Sequence, residues 1–535
     1  VILAYTSADV RAAEEPLLAA GLPLMDRAAH ALATRVLGLL REQRGQVRGA
    51  IVVVIAGAGS NGGDALHAGA LLARRGVAVT ALLTAARAHE GGLAALRSAG
   101  GRVLRVAEGG AGDHGTGDPV WAGEAVATAY AADVILDGVL GIGASGAVRG
   151  PAAEVLTLLH ELLADERAGG QVAAPLVVAV DTPSGIDVDS GAIPRAERGD
   201  RADRSEHGDP RGPVLPADLT VTFGAAKAGL LLPPSSLHAG QVDVVDIGLD
   251  LSGVRPVVAR LEPADVAALW PTPAPDAHKY SRGVLGVVAG TPAYPGAAVL
   301  TVCAAIRAGV GMVRYQGSPG VSATVLSTCP EVVAGDGRVQ AWTLGPGIDP
   351  GDSAQAERVH AALAAVLAQE QPAVVDAGAL SLVPNRLAPW VVLTPHAGEL
   401  AALLSAQGED VDRAQVEAEP LRWARRAHEL TAATVLLKGP TTLVVGAGGA
   451  VYSQADAPAW LATAGAGDVL AGLLGAMLAG RSADVLADPS LVAALGAAAA
   501  LVHGRAAHRA NPGGPVSATA VAEAIPGTVA ELLRG

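Results

Sequence analysis

Three loops in the first half of the sequence combine glycine with oxygen-bearing side chains: "SNGGD" at 60–64, "DGVLGIGASGAVRGP" at 137–151 and "DTPSGID" at 181–187. Glycine lets a backbone approach a phosphate closely, and free amides at the start of a helix favour an anion. Asn61, Asp137 and Ser184 offer hard oxygen ligands, which suit a hard cation rather than zinc. Asp181 is a carboxylate available for proton transfer beside whatever those loops hold. A fourth segment, "ATAGAGDVLAGLLGAML" at 462–478, sets Gly465, Ala466 and Gly467 ahead of a helix. The free N–H groups there form an anion hole, and Asp468 is placed to take a proton from a hydroxyl while a phosphoryl group moves. Taken one at a time, each feature also has a plainer reading as a glycine-rich turn or a capped helix.

The first loop follows an apolar run at 52–55, and Gly57, Gly59 and Gly62 satisfy G-x-G-x-x-G before a helix expected from about Asp64. A dinucleotide cofactor fold also needs an acid about 20 residues further on to hold the ribose hydroxyls. That region reads "VAVTALLTAAR" and contains no carboxylate, so a bound nucleotide cofactor loses ground. In the second half, "LTPHAGEL" at 393–400 and "LLKGPTTLVV" at 436–445 put His396 in a loop and Lys438 just after a buried strand. No G-x-x-x-x-G-K-[ST] occurs, which rules out a P-loop.

The elements that must position these residues alternate. Strand-like runs at 51–55, 77–83, 133–136, 176–180, 219–223 and 242–246 are separated by helical patterns, which predicts an α/β domain with a mostly parallel sheet. A Pro-rich stretch at 250–282 lacks sustained periodicity and marks a boundary, set between 252 and 253. Runs at 284–289, 373–375, 391–393, 434–437 and 443–445 then predict a second α/β domain, with a long helical tail after Asp468. The polar segment 191–213 is expected to be a mobile surface loop, and the Ala-rich stretch 491–502 a buried helix too short to span a bilayer.

Composition narrows the function classes. A net charge of −14 and 2% aromatic residues argue against a nucleic-acid or membrane-surface binder, which need basic faces or stacking platforms. Cys303 and Cys329 form no CxxC and are expected to be buried packing residues. A cytoplasmic protein acting on small molecules is the expectation.

The three N-terminal loops, with "YTSADVR", "LMDRAA" at 24–29 and "DLTVTFGAAKAGLL" at 218–231, resemble the NAD(P)H-hydrate epimerases over roughly residues 4–248. That resemblance implies a Rossmann-like three-layer domain that takes hydrated NADH or NADPH as substrate and uses K⁺. It places Ser60, Asn61, Gly62, Gly63, Asp64, Gly141, Ile142, Gly143, Ala144, Ser145, Gly146, Ala147 and Asp181 at the substrate, and Asn61, Asp137 and Ser184 at K⁺. Ser60 stands where Asn is usual, and Ala65 where Gly is common.

The second half resembles the ADP-dependent NAD(P)H-hydrate dehydratases of ribokinase-like fold over roughly 258–533, supported by "HKYSRGVLGVVAG", "PGAAVLTVCAAIRAGVGMV" and "LGPGI". By that resemblance Lys438, Gly439, Pro440, Thr441, Thr442 and Gly467 contact the adenine nucleotide, while Ala298, Gly347, His396 and Asp468 face the hydrate. ADP with Mg²⁺ would be the phosphoryl donor. "DAGAL" at 376–380 replaces the usual D-A-D-A-L, so its second acid is lost. The resulting expectation is a two-step repair enzyme, epimerase then dehydratase, forming a homo-oligomer. A small-molecule kinase and a nucleotide-binding scaffold with inactive sites are the alternatives.

Overall fold

The computed structural model describes residues 1–107, 117–144, 146–169 and 174–195, then 212–535, with the backbone alone for 166–169. Ser145 and most of the 191–213 segment lie outside the described residues. The chain forms two compact units, Leu3–Val257 and Val258–Gly535, the latter with Val1–Ile2.

In the first unit, apolar runs such as "IVVVIA" pair as a parallel eight-stranded sheet. Its order is Gln241–Val245, Leu219–Phe223, Leu176–Val180, Val134–Gly138, Ile51–Ala56, Ala78–Leu83, Arg102–Val106 and Asp118–Val120. Alternate residues of one strand enter different cores. Val52, Val54 and Ala56 pack under the helices Leu24–Arg44 and Ser60–Ala73, whereas Val53 and Ile55 pack under Ala122–Tyr130 and Gly150–Gly169. Side chains point to opposite faces with a period of two, so a strand covered on both sides must be apolar throughout. The last two strands were not expected, because "RVLRV" carries two arginines and "DPV" is a three-residue edge piece with a proline. The helix expected from about Asp64 begins at Ser60, so Gly62 and Gly63 belong to its first turn rather than to a loop.

In the second unit the strand order is Val333–Ala334, Met312–Tyr315, Val284–Val288, Ala341–Leu344, Ala373–Val375, Val391–Leu393, Thr434–Leu437, Thr442–Gly446, Ala450–Gln454 and Val258–Arg260. Pairing is parallel through Thr434–Leu437, and the next two pairs are antiparallel. The stretch read as aperiodic boundary holds the strand Val258–Arg260 and the helix Pro263–Leu269, whose proline sits where a helix N-terminus tolerates it. The Ala-rich helix is longer than expected, Leu491–Ala510. Among the described residues it is the one helix long and apolar enough to cross a membrane, but 78% of its apolar window is buried inside the protein. Cys303 and Cys329 are buried as expected, with their sulfurs 2.7 Å apart.

Candidate active sites

The first site forms where the sheet order reverses. From Ile51–Ala56 the chain runs outward through Ala78–Leu83, then returns to Val134–Gly138 on the other side, opening a crevice beyond the carboxyl ends of the two central strands. Two loops meet there at van der Waals distance. A β-carbon on Gly57 would lie 2.0 Å from the Val139 carbonyl oxygen of the facing loop, and one on Gly62 2.2 Å from the Gly57 carbonyl oxygen, so only glycine fits at either position. Gly62→Ala is expected to displace the first turn of this helix and lower the melting temperature of the chain, measurable by thermal unfolding with the wild type as reference.

The three oxygen residues converge. Asp137 accepts the Ser184 hydroxyl at 2.6 Å and the Ser184 N–H at 2.8 Å, and Ser184 Oγ accepts the Leu140 N–H. Asn61 donates through Nδ2 to the Leu140 carbonyl at 2.8 Å, and its Oδ1 is buried with no partner. Burial pushes the Asp137 carboxyl up from its ordinary range, against the hydrogen bonds from Ser184. An oxygen cluster with one orphaned acceptor matches a cation's needs, since buried acceptors are otherwise satisfied.

Asp181 adopts a left-handed backbone conformation, φ 64°, which costs a non-glycine residue on the order of 1–3 kcal/mol and persists where the surroundings impose it. They do so here. Its Oδ1 accepts from the Lys227 ammonium, the Thr222 hydroxyl at 3.1 Å and the Phe223 N–H at 3.2 Å. Lys227 is itself only 1% exposed.

A cavity of about 580 Å³ opens in front of Asp181. Ser60, Asn61, Asp64, Asp181 and Gly141 to Ala144 line it. Gly62 and Gly63 lie beneath the wall, Gly63 against the His89 ring, while Gly146 and Ala147 fall outside the lining.

The second site also gathers at carboxyl ends of parallel strands. Asp376 follows Ala373–Val375, His396 follows Val391–Leu393, and Lys438 follows Thr434–Leu437. Lys438 Nζ donates to Asp376 Oδ1 at 2.7 Å and lies 3.7 Å from Glu399. Burial works to lower the Lys438 pKa, and the charges of Asp376 and Glu399 outweigh it and raise it. Gly439, Pro440 and Thr441 form the turn that leads into Thr442–Gly446, so Thr442 opens the next strand. His396 caps the helix Ala397–Ala406, its ring accepting the Glu399 N–H at 3.1 Å, and the side chain is exposed rather than in the core.

Opposite these strand ends, Gly465 takes φ 85° and caps the helix Ala466–Gly480, with Gly467 in its first turn. A β-carbon on Gly467 would sit 3.6 Å from Lys438 Nζ, which brings the ammonium to the free amides of that turn. Asp468 faces the same point. Its carboxyl is pushed up to about 6 by burial and by the Asp376 charge, against Lys438. Ala298, on Pro295–Arg307, packs at Gly290, and Gly347 contacts the same turn through Ala297.

Residues 21–229 match the family described as YjeF-related protein N-terminus, and residues 285–526 match NAD(P)H-hydrate dehydratase. The bifunctional NAD(P)H-hydrate repair enzyme Nnr of Mycobacterium tuberculosis is 42% identical over 493 residues, covering 89% of each chain. The chain belongs to the bifunctional NAD(P)H-hydrate repair enzymes. An NAD(P)H-hydrate epimerase of Clavibacter michiganensis subsp. michiganensis is 43% identical over 256 residues, 48% of this chain and 94% of that one. Among solved structures, an ADP/ATP-dependent NAD(P)H-hydrate dehydratase of Bacillus subtilis, co-crystallised with ATP/Mg²⁺, is 24% identical. It covers 51% of this chain and 99% of its own, with a TM-score of 0.44.

In this repair enzyme the residues that sequence reasoning missed are Lys227, the ion-pair partner of Asp181, and two residues that line the same cavity, Arg11 and Met25. Lys227 lies in "GAAKAGLL", Arg11 in "YTSADVR" and Met25 in "LMDRAA", segments visible as motifs but carrying no assigned role. Asp376, the retained acid of "DAGAL", anchors Lys438 and also accepts the Thr394 hydroxyl at 2.8 Å.

Proposed function

We propose that the first unit interconverts the two epimers of hydrated NADH or NADPH, and that the second dehydrates one epimer at the expense of ADP. The observation that carries this reading is the presence, in one chain, of both an acid-lined cavity at a sheet switch point and an acid at a glycine-capped helix N-terminus. The hydrate bears a hydroxyl on the carbon next to the ring nitrogen, and hydroxide leaves poorly. Phosphorylation converts it into a good leaving group. Asp468 takes the hydroxyl proton as oxygen attacks the β-phosphorus of ADP, and the amides following Gly465 hold the moving phosphoryl group. AMP departs, phosphate is then eliminated with loss of a ring proton, and NAD(P)H is restored. Mg²⁺ bound with ADP would share the phosphate charge. Lys438 meets the nucleotide phosphates, and His396, Ala298 and Gly347 border the hydrate.

In the epimerase cavity Asp181 serves proton transfer at the hydrated ring. Asn61 Oδ1, Asp137 and Ser184 are the oxygens that fit K⁺, which would supply a fixed positive charge for the substrate phosphates. The test follows the near-ultraviolet absorbance of reduced nicotinamide as it is recovered from a mixture of both hydrate epimers with ADP, Mg²⁺ and K⁺. Full recovery is expected, and no recovery at all overturns the reading. Replacing K⁺ with choline is expected to slow conversion of the second epimer while dehydration of the first proceeds as before. Equal slowing of both phases would place K⁺ elsewhere.

A further inference from the structure

The Asp64 carboxylate lines the same cavity as Asp181, in the helix Ser60–Ala73. Among the described residues it makes no hydrogen bond or ion pair of its own, whereas Asp181 Oδ1 alone accepts three. A carboxylate placed toward a ligand cavity and left without a partner has either a ligand to meet or a proton to hold. We propose that Asp64 is the proton donor of the epimerase site, acting opposite Asp181 as the acceptor; this rests on the epimerase reading given above.

The surroundings of the two acids differ in the way an acid and a base require. Asp64 is pushed up to about 8 by burial, then by the negative charges of Asp181 and Glu14, with Lys227 opposing. Arg11 and Glu14 face the cavity from the helix Ser7–Ala19, and burial raises Glu14 as well. His67, one turn along the Asp64 helix, is pushed down by burial and by neighbouring His89. Asp181 is ion-paired with Lys227, and its Oδ2 is free of protein partners among the described residues.

The step balances without a further reactant. Asp64 gives its proton to the hydroxyl as the carbon–oxygen bond breaks, and water leaves while the ring-nitrogen lone pair forms a carbon–nitrogen double bond. Water then adds to the opposite face and gives up a proton to Asp181. One water is lost and one gained, and the proton returns from Asp181 to Asp64 through solvent before the next turnover.

The experiment measures initial epimerisation rates of the full chain, corrected for the spontaneous reaction, for wild type, Asp64→Asn and Asp64→Glu from pH 6 to pH 9.5 (about half-unit steps spanning the Asp64 transition). Because the protonated form donates, wild-type kcat is expected to be level at low pH and to fall as pH rises through about 8. Asp64→Asn should lower kcat roughly 100-fold or more and abolish that alkaline fall, with KM changed little. Asp64→Glu should recover part of the rate and the alkaline fall. If wild type epimerises but Asp64→Asn keeps its rate or its alkaline fall, the donor assignment fails while the epimerase reading stands. Equal loss in Asn and Glu variants with a raised KM would also overturn it, by making Asp64 a shaping residue. A wild type that binds the hydrate and never epimerises it defeats the underlying reading instead.

Discussion

Asp468→Asn is expected to abolish ADP-dependent recovery of reduced nicotinamide while leaving interconversion of the hydrate epimers in place. Asparagine keeps the size and the position in the first turn of Ala466–Gly480 but cannot accept a proton. Positioned general bases contribute about 10²–10⁴-fold, so a loss of that size in kcat is the expected effect. The pH profile supplies a second check. With its carboxyl raised to about 6, Asp468 is an available base above that pH and is lost as pH falls through it. Wild-type dehydration of the reactive epimer should therefore decline by about tenfold per unit below the transition. Retention of the acid limb by Asp468→Asn would reassign the base. Asp376 sets part of this value, so Asp376→Asn is the variant through which its charge can be read.

Asp181→Asn is expected to stop epimerisation and also to loosen the first unit, and the two effects can be separated. Lys227 is 1% exposed, and its ammonium is surrounded by Asp181, the Thr222 hydroxyl and the Phe223 carbonyl. Removing the only carboxylate in that set leaves a buried charge without compensation, which costs about 3–5 kcal/mol. Amide hydrogen exchange in Leu176–Val180 and Leu219–Phe223 reports it locally, as faster exchange in the variant. Adding Lys227→Met to Asp181→Asn should restore most of the protection without restoring epimerisation. Protection unchanged in Asp181→Asn would show that the pair contributes little to holding these strands.

How much of this was legible in advance can be argued from particular segments. Strands such as Ala373–Val375, Val391–Leu393 and Thr434–Leu437 are short and apolar and lie between turn residues, so their ends were readable. Arg102–Val106 was not, because its polar members break the apolar run that marks a buried strand. The acids at the two sites stood out because they lie in glycine-containing segments at the end of a strand or the start of a helix. Lys438 was marked for phosphate contact, but its pairing with Asp376 and that of Lys227 with Asp181 were not legible, since a lysine after a strand is unremarkable until the fold puts it beside a carboxylate. Asp181 precedes Lys227 by a long stretch of chain, and Asp376 and Lys438 sit on different strands.

The sequence by itself determined the two α/β halves, the strand-end loops, and the glycines at which only a missing side chain lets two backbones meet. Those are local properties, written in periodicity and residue type. Tertiary structure alone decided which acid is ion-paired and which is left alone, because that depends on burial and on charges distant in the chain. Asp64 and Asp181 are the same residue type, and both stand in segments that the sequence singles out. Among the described residues the one lacks a partner and is pushed up to about 8, while the other accepts Lys227, and the difference comes from the three-dimensional field around them.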